Sequence, residues 1–510
     1  MTKIDRHGGK HMAPMLDGCT PWPAAFVDRY WAAGHWRGNT LDNLLRGWAL
    51  QYGPRTALVY GDERVTYAHL NRRVERRAAG FRLRGLHRGQ RVLVQLPDVP
   101  EAVVTLFALM RAGLVPVLCP LSYGAPWITR LARVTQAVGY VAPAEHPGFD
   151  PVAAAAGIAA RWPFLRRVFT LDAPGASSPY GGLTTDPAGC QYSPLATIDA
   201  PPAPALVQSS DQVAFLLPAG AVTGEPVLVP RTHDDYAYQA RAAAELVALT
   251  EDDVYLAVPA DGSPFVLGGP GVIGTLSAGG TVVLADGPEP TTCLPLVARE
   301  GVTVTSLTAD AAGRWLDALP SAADSTGSLR LVQAGGDTTR SGATAEALGR
   351  ALRCRVQRVY GLTEGPLLLS NPTPAPAPNP TPNSAPAPDS GPSADPAPAH
   401  ALTPNPTPDE ADKTQPHERV RPLSPDDDVR VVGADGADVP DGQPGELLAR
   451  GPYTPRGYYR EPEHDARRYA PGGWLRTGFL ARRTPDGALL VTGRRTAAGR
   501  NPAYEDQTTD

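Results

Sequence analysis

Arg91-Val-Leu-Val-Gln-Leu96, Pro100 to Gly113 and Leu114-Val-Pro-Val-Leu-Cys119 follow one another as an apolar run, a helical stretch and a second apolar run. Short apolar runs on either side of a helix read as buried parallel strands, so the stretch is a βαβ unit. The same grammar recurs at Thr281-Val-Val-Leu284, Val302-Thr-Val-Thr-Ser-Leu307, Leu329-Arg-Leu-Val-Gln333 and Arg355-Val-Gln-Arg-Val-Tyr360, with helical stretches between. Strands alternating with helices predict an α/β fold with mostly parallel layers and ligands near the carboxyl ends of the strands. Further on the pattern changes. Val429 to Val432, Glu446 to Arg450, and Trp474 to Arg483 with Ala488 to Gly493 about a Pro485-Asp-Gly487 turn read as antiparallel β.

Between these blocks, Asn371 to Pro408 holds 14 prolines in 38 residues. Alternating X-Pro favours extended polyproline II and cannot form a core. The sequence therefore divides into an N-terminal extension (1–40), an α/β body (41–370), a Pro-rich insertion or linker (371–420), a β-rich subdomain (421–497) and a tail (498–510).

The 510 residues are 42% hydrophobic and 19% charged, enough apolar content for more than one core. A net charge of −5 gives no positive field for a polyanion, so neither nucleic acid nor an acidic membrane is an expected partner. With no leader-like apolar segment and no run long enough to span a bilayer, a cytoplasmic protein is expected. Cys19, Cys119, Cys190, Cys293 and Cys354 are scattered and read as free thiols. Among 47 Lys+Arg, lysine occurs only at Lys3, Lys10 and Lys413. Any mechanism that needs a lysine inside the body lacks one.

Tyr360-Gly-Leu-Thr-Glu-Gly365 closes a strand with a hydroxyl and a carboxylate between glycines. Gly361 would let backbone approach a ligand, Thr363 could bond a phosphate oxygen and Glu364 could hold Mg²⁺; a turn with a capping Thr reads equally well from this stretch alone. With Gly445-Glu-Leu-Leu-Ala-Arg-Gly-Pro-Tyr-Thr-Pro-Arg-Gly-Tyr-Tyr459, Trp474-Leu-Arg-Thr-Gly478 and Gly493-Arg494 in this order, the chain resembles the adenylate-forming (AMP-dependent synthetase/ligase) superfamily. Thr20-Pro-Trp-Pro23, Val94-Gln-Leu-Pro97 and Pro230-Arg-Thr-His-Asp-Asp-Tyr236 bring it nearest to the free-standing aryl acid (2,3-dihydroxybenzoate)-AMP ligases of siderophore assembly. The resemblance implies ATP and Mg²⁺ as cofactors, an aryl carboxylic acid activated as its acyl adenylate, and a carrier-protein or coenzyme A thiol as acceptor.

Several positions depart from that pattern. In the phosphate loop, Pro218-Ala-Gly-Ala-Val-Thr-Gly-Glu-Pro-Val227, the residues Gly220, Thr223 and Gly224 match, but the serine positions are Ala219 and Val222 and the lysine position is Val227. The His-Asn-aromatic triplet of the acid pocket reads Ser263-Pro264-Phe265; Phe265 keeps the wall while the polar handle is gone, and Gly269, Gly335 and Gly336 complete the implied pocket. No base is placed for Ser263, so it reads as a turn serine. The ribose-gripping Asp is Phe479, and the hinge keeps Arg494 but has Ala497 in place of its Asp. Only 16 residues follow Arg494, fewer than the about 50 of a small domain, so the family's C-terminal domain with its lysine is expected to be missing.

Thr232 and Asp235 have capping-box spacing, which makes His233 a helix-start residue rather than a catalyst. Gly268-Gly-Pro-Gly271 with Gly274 reads as close helix packing. Three functions fit the residues: a ligase-like pseudoenzyme that binds or scaffolds a carrier protein or companion ligase, an active aryl acid adenylating ligase, or an acyl-transfer or condensation activity on a pre-formed acyl adenylate.

Overall fold

Arg91–Val94 and Val115–Leu118 pair in parallel, Leu93 opposite Val117, and the helix Pro100–Arg111 crosses between them. Val92 and Val94 face a core shared with Phe107, while Leu93 faces a second one with Ile128 and Leu131. Burial on both faces is why these strands are continuously apolar rather than alternating. The structure, a computed structural model, describes residues 15–172, 183–220, 226–259, 265–319, 326–335, 341–365, 367–370, 419–424 and 426–495.

Among the described residues there are two large sheets. The first runs in the order Val227–Thr232, Val213–Ala219, Val115–Leu118, Arg91–Val94, Gly139–Pro143, Arg167–Leu171, Gln191–Pro194 and Thr184–Thr185. It is parallel except at its two ends, where Val227–Thr232 and Thr184–Thr185 pair antiparallel. In the second, Arg355–Gly361, Leu331–Gly335, Val304–Leu307, Val254–Ala257, Thr281–Leu284 and Thr56–Tyr60 are successive parallel neighbours. Helices Leu41–Tyr52, Tyr67–Leu83, Pro100–Arg111 and Gly271–Ser277 fill the space between the sheets, where Leu58, Tyr255 and Val282 of one meet Val92 and Phe215 of the other. The next residues along the strands, Val59, Leu256 and Val283, face the opposite side and pack on Leu294, Val297, Trp315 and Leu348. This period of two is the pleat made visible in burial.

From Gly361 onward the second sheet turns antiparallel and continues through Leu367–Ser370, Arg419–Pro422, Leu489–Arg494, Trp474–Arg483, Gly445–Arg450 and Asp428–Val432. The Pro-rich stretch lies outside the described residues, but the strands flanking it are direct partners, Ser370 opposite Val420. The sheet thus runs unbroken from the α/β body into the β-rich segment. The helix Ala24–Ala32 lies against that junction. Its Tyr30 packs with Trp36, Val359, Leu369 and Tyr453, and Arg450 stacks on Phe26 at 4.8 Å and Trp474 at 4.2 Å.

All five cysteines are free, and burial pushes the thiols of Cys119, Cys293 and Cys354 up to about 12. They are inert fillers of the core at neutral pH. No described helix is long and apolar enough to cross a membrane.

Candidate functional site

The strands Val254–Ala257, Val304–Leu307, Leu331–Gly335 and Arg355–Gly361 are in register, with Ala334 opposite Leu307 and Gly335 opposite Val359. Their carboxyl ends therefore share one edge, which carries Gly335 and the Gly361-Leu-Thr-Glu-Gly365 turn. Gly365 has φ of +110°, and a Cβ there would lie 2.6 Å from the Tyr453 carbonyl oxygen, so only glycine permits this approach.

Thr363 is held through its backbone. Arg231, fully buried at the end of the strand Val227–Thr232, donates to the Thr363 carbonyl at 3.4 Å, the Tyr453 carbonyl at 3.0 Å, Gln239 Oε1 at 2.8 Å and Asp235 Oδ1 at 2.8 Å. Gln239 in turn donates to the Gly268 carbonyl at 3.1 Å. One guanidinium thus ties the Thr363 turn, the 450s loop and the helix His233–Leu246 together, and through Gln239 reaches the segment before Gly269.

Glu364 is buried, with its Oε1 accepting from the Tyr458 hydroxyl and from Arg468 Nη2 at 3.3 Å. Arg468 Nε also donates to the Tyr458 hydroxyl at 3.2 Å, which closes a triangle. The carboxylate that resemblance assigns to Mg²⁺ is already neutralised by a guanidinium. A divalent ion about 4 Å from that guanidinium would be repelled by roughly 8 kcal/mol at an effective dielectric near 20. As arranged, these residues do not fit Mg²⁺.

Phe479 stands on the inward row of the strand Trp474–Arg483 with Leu475, Thr477 and Ala481. Its ring is 4% exposed and meets Tyr360 edge-on at 5.9 Å, and the Arg494 guanidinium lies over it at 5.4 Å. Phe479 and Arg494 are cross-strand partners. The ring belongs to a packed cluster with Leu362, Leu447 and Val491. This position offers no acceptor for a ribose hydroxyl.

The described flanks of the phosphate loop are equally apolar. Ala219 pairs with Val227, and both are buried in the core between the sheets; Gly220 follows with φ of +80°. Val222, Thr223, Gly224, Ser263, Pro264, Gly336 and Ala497 lie outside the described residues. Of Phe265, only the backbone is described, as the start of the short helix Phe265–Gly268, after which Gly269 leads into Pro270.

The capping box expected at Thr232 is formed. The Thr232 hydroxyl accepts from Asp235 N at 3.2 Å, and Asp235 Oδ2 accepts from Thr232 N at 2.6 Å. His233 Nδ1 accepts from Leu41 N at 3.1 Å, a structural role. The glycine cluster serves packing as read: a Cβ on Gly268 would fall 2.6 Å from the Tyr236 ring, and one on Gly274 would fall 2.7 Å from Pro270.

Sequence reading missed Arg231, Gln239, Tyr453, Tyr458 and Arg468. The first, third and fourth sit inside stretches that carried the resemblance, so a signal existed. Arg468 closes the short helix Pro462–Arg468, whose charged sequence reads as a solvated face and gives no hint of its partner.

Nearby, Asp427 accepts from the Tyr453 hydroxyl at 2.6 Å, while its Oδ1 is buried with no hydrogen-bond partner among the described residues. Burial raises its pKa from 3.8 to about 7, with Asp428 and Asp426 adding to the rise. Between those values the folded chain holds a proton that the unfolded chain has released, so this stabilisation is complete in acid and lost as pH rises through 7. His233 acts oppositely: burial lowers it from 6.5 to about 4, so stability falls as pH drops through that window. Asp427→Asn is expected to raise urea stability by about 3 kcal/mol more at pH 8 than at pH 5, because the penalty removed grows with pH until the folded group ionises near 7. Equal pH dependence in variant and parent would refute the assignment.

Two sheets sharing helices, with a Gly-Leu-Thr-Glu turn at the parallel edge and a β-rich extension beyond it, define an adenylate-forming fold. The profile of the AMP-binding enzyme family matches residues 45–459, and the chain belongs to that family. It is 34% identical to the 2,3-dihydroxybenzoate-AMP ligase of Bacillus subtilis (strain 168), over 94% of this chain and 79% of that protein. It is 36% identical to a salicyl-AMP ligase / salicyl-S-ArCP synthetase of Mycobacterium tuberculosis, over 94% of this chain and 77% of that one. Among solved structures, the apo structure of MbtA from Mycobacterium smegmatis superposes with a TM-score of 0.75 at 34% identity, covering 94% of this chain and 80% of that chain.

Proposed function

We propose that this chain is an aryl acid-AMP ligase-like protein of siderophore or aryl-capped nonribosomal peptide assembly in which ATP-dependent adenylation is impaired. In this reading it is a cytoplasmic pseudoenzyme that binds an aryl carboxylic acid or its acyl adenylate and docks a carrier protein or companion ligase. The observation that carries the proposal is Phe479: its buried ring packs on Tyr360 where resemblance places the ribose-gripping carboxylate. Removing a charged acceptor from a polar site costs about 1.5–3 kcal/mol of binding, or roughly 10- to 100-fold. Ala219 and Val227, buried and apolar at loop positions that would face phosphate, add to that loss.

The second reading, an active aryl acid adenylating ligase, draws on the identity to ligases named for 2,3-dihydroxybenzoate and salicylate. Calorimetry with MgATP, with and without each of these acids, separates the two, together with ATP–pyrophosphate exchange on the same folded sample. The proposal expects no saturable MgATP heat and no acid-dependent exchange. Tight MgATP binding with exchange would establish the active ligase instead. No observation among the described residues favours condensation from a pre-formed acyl adenylate.

A further inference from the structure

We infer that Arg468 is a built-in cation that takes the place of a divalent metal at Glu364, so that this carboxylate does not bind metal while Arg468 is present. The inference concerns the same site as the proposed function but does not depend on whether nucleotide binds.

The geometry is built from the chain itself. Tyr458 N donates to Asp465 Oδ1 at 2.7 Å, and a Cβ on Gly457 would lie 2.5 Å from Asp465 Oδ2, so a larger residue there would push this carboxylate off its bond to Tyr458. The His464 ring meets the Tyr458 ring edge-on at 4.4 Å, and the Tyr469 hydroxyl donates to the Pro455 carbonyl at 3.0 Å. These contacts fix both ends of the helix Pro462–Arg468 and deliver its last residue to Glu364. The Glu364 side chain is 8% exposed and that of Arg468 is 27% exposed. A carboxylate buried this far needs a countercharge, and the guanidinium supplies one directly while a phenol supplies a second donor. A guanidinium stays protonated throughout the pH range of a folded protein, so the cation is permanent.

The charge count decides against a shared arrangement. Glu364 with Arg468 is neutral; adding a divalent ion would leave a net +2 in a largely buried site and would have to displace donors already in place. A metal-first arrangement would instead require Arg468 to swing out to solvent, breaking its bonds to both Glu364 and Tyr458.

Tb³⁺ is a suitable probe because it binds carboxylates and is excited through nearby phenols, and Tyr458 hydrogen-bonds to Glu364 itself. Tb³⁺ would be titrated into the full chain, with tyrosine-sensitised luminescence recorded without nucleotide for the parent, E364Q, R468Q and the double variant R468Q/E364Q. Circular dichroism checks folding, and R468A serves as a second removal of the charge. The parent should match E364Q, showing no Glu364-dependent signal, whereas R468Q or R468A should gain a component at least tenfold tighter that Mn²⁺ competes away and the double variant loses. A Glu364-dependent component in the parent would overturn the inference, even if neither Arg468 variant folded. So would its absence from folded Arg468 variants. Because nucleotide is omitted, either result leaves the MgATP calorimetry as an independent test of the proposed function.

Discussion

Replacing Arg231 by Met lowers the unfolding free energy by about 3–5 kcal/mol, the expected result for removing one partner of a fully buried ion pair. Both side chains of the pair are essentially inaccessible, at 0% and 1% exposure. Burial already pushes the Asp235 carboxyl up against the pull of Arg231, so loss of the cation leaves that group charged and alone or forces it to protonate. Arg231 also stacks over the Tyr236 ring at 4.7 Å and donates to two backbone carbonyls, those of Thr363 and Tyr453. Arg231→Lys should recover little, because an ammonium cannot present donors in these separate directions at once. The double variant Arg231→Met/Asp235→Asn should regain part of the loss, since it removes the orphaned charge. Urea unfolding at pH 7 measures all three. A single-variant loss below about 1 kcal/mol would show that the network contributes only as exposed pairs do.

Phe479→Asp should move two readouts in opposite directions. Stability is expected to fall by about 3 kcal/mol, because a packed ring is lost and a carboxylate enters the cluster around Tyr360 and Leu362. Arg494, now stacked on the ring, can turn to pair with the new carboxylate, which keeps the loss from being larger. Phe479→Leu, which keeps an apolar group of nearly the same size, should cost less than about 1.5 kcal/mol. Against this loss, MgATP affinity of the Asp variant should rise about 10- to 100-fold over the parent, since an ionised acceptor is restored where the resemblance places the ribose. Unfolding curves and calorimetry on the same preparations test both. Unchanged MgATP affinity in a folded Asp variant would show that this position does not face nucleotide.

The legible parts of the fold are those set by local pattern. Arg91–Val94, Pro100–Arg111 and Val115–Leu118 could be read because both sheet faces are covered and every strand residue had to be apolar. Where the pattern misled, a local backbone turn is the cause. The strand expected to begin at Leu329 begins at Leu331, because the Leu329 N–H turns back to the Thr326 carbonyl at 3.1 Å instead of joining the ladder. The turn at Thr363 and Glu364 was visible as a motif, and the capping box at Thr232 followed from spacing alone, because all of its partners lie within four residues.

By itself, the sequence determined the layered α/β architecture, the family, the helix start at His233 and the substitutions at Ala219, Val227 and Phe479, all properties of residue type and of neighbours a few positions apart. Only the tertiary structure decided what the charged side chains do. Arg231 meets Thr363 across 132 positions and Arg468 meets Glu364 across 104. Charged side chains on a strand end or a short helix read locally as solvated, and nothing in the chain's periodicity says which buried acceptor the fold will bring to them. Burial raises the strength of such pairs and the cost of leaving them unmade, so the contacts least visible in the sequence set the electrostatics of the site.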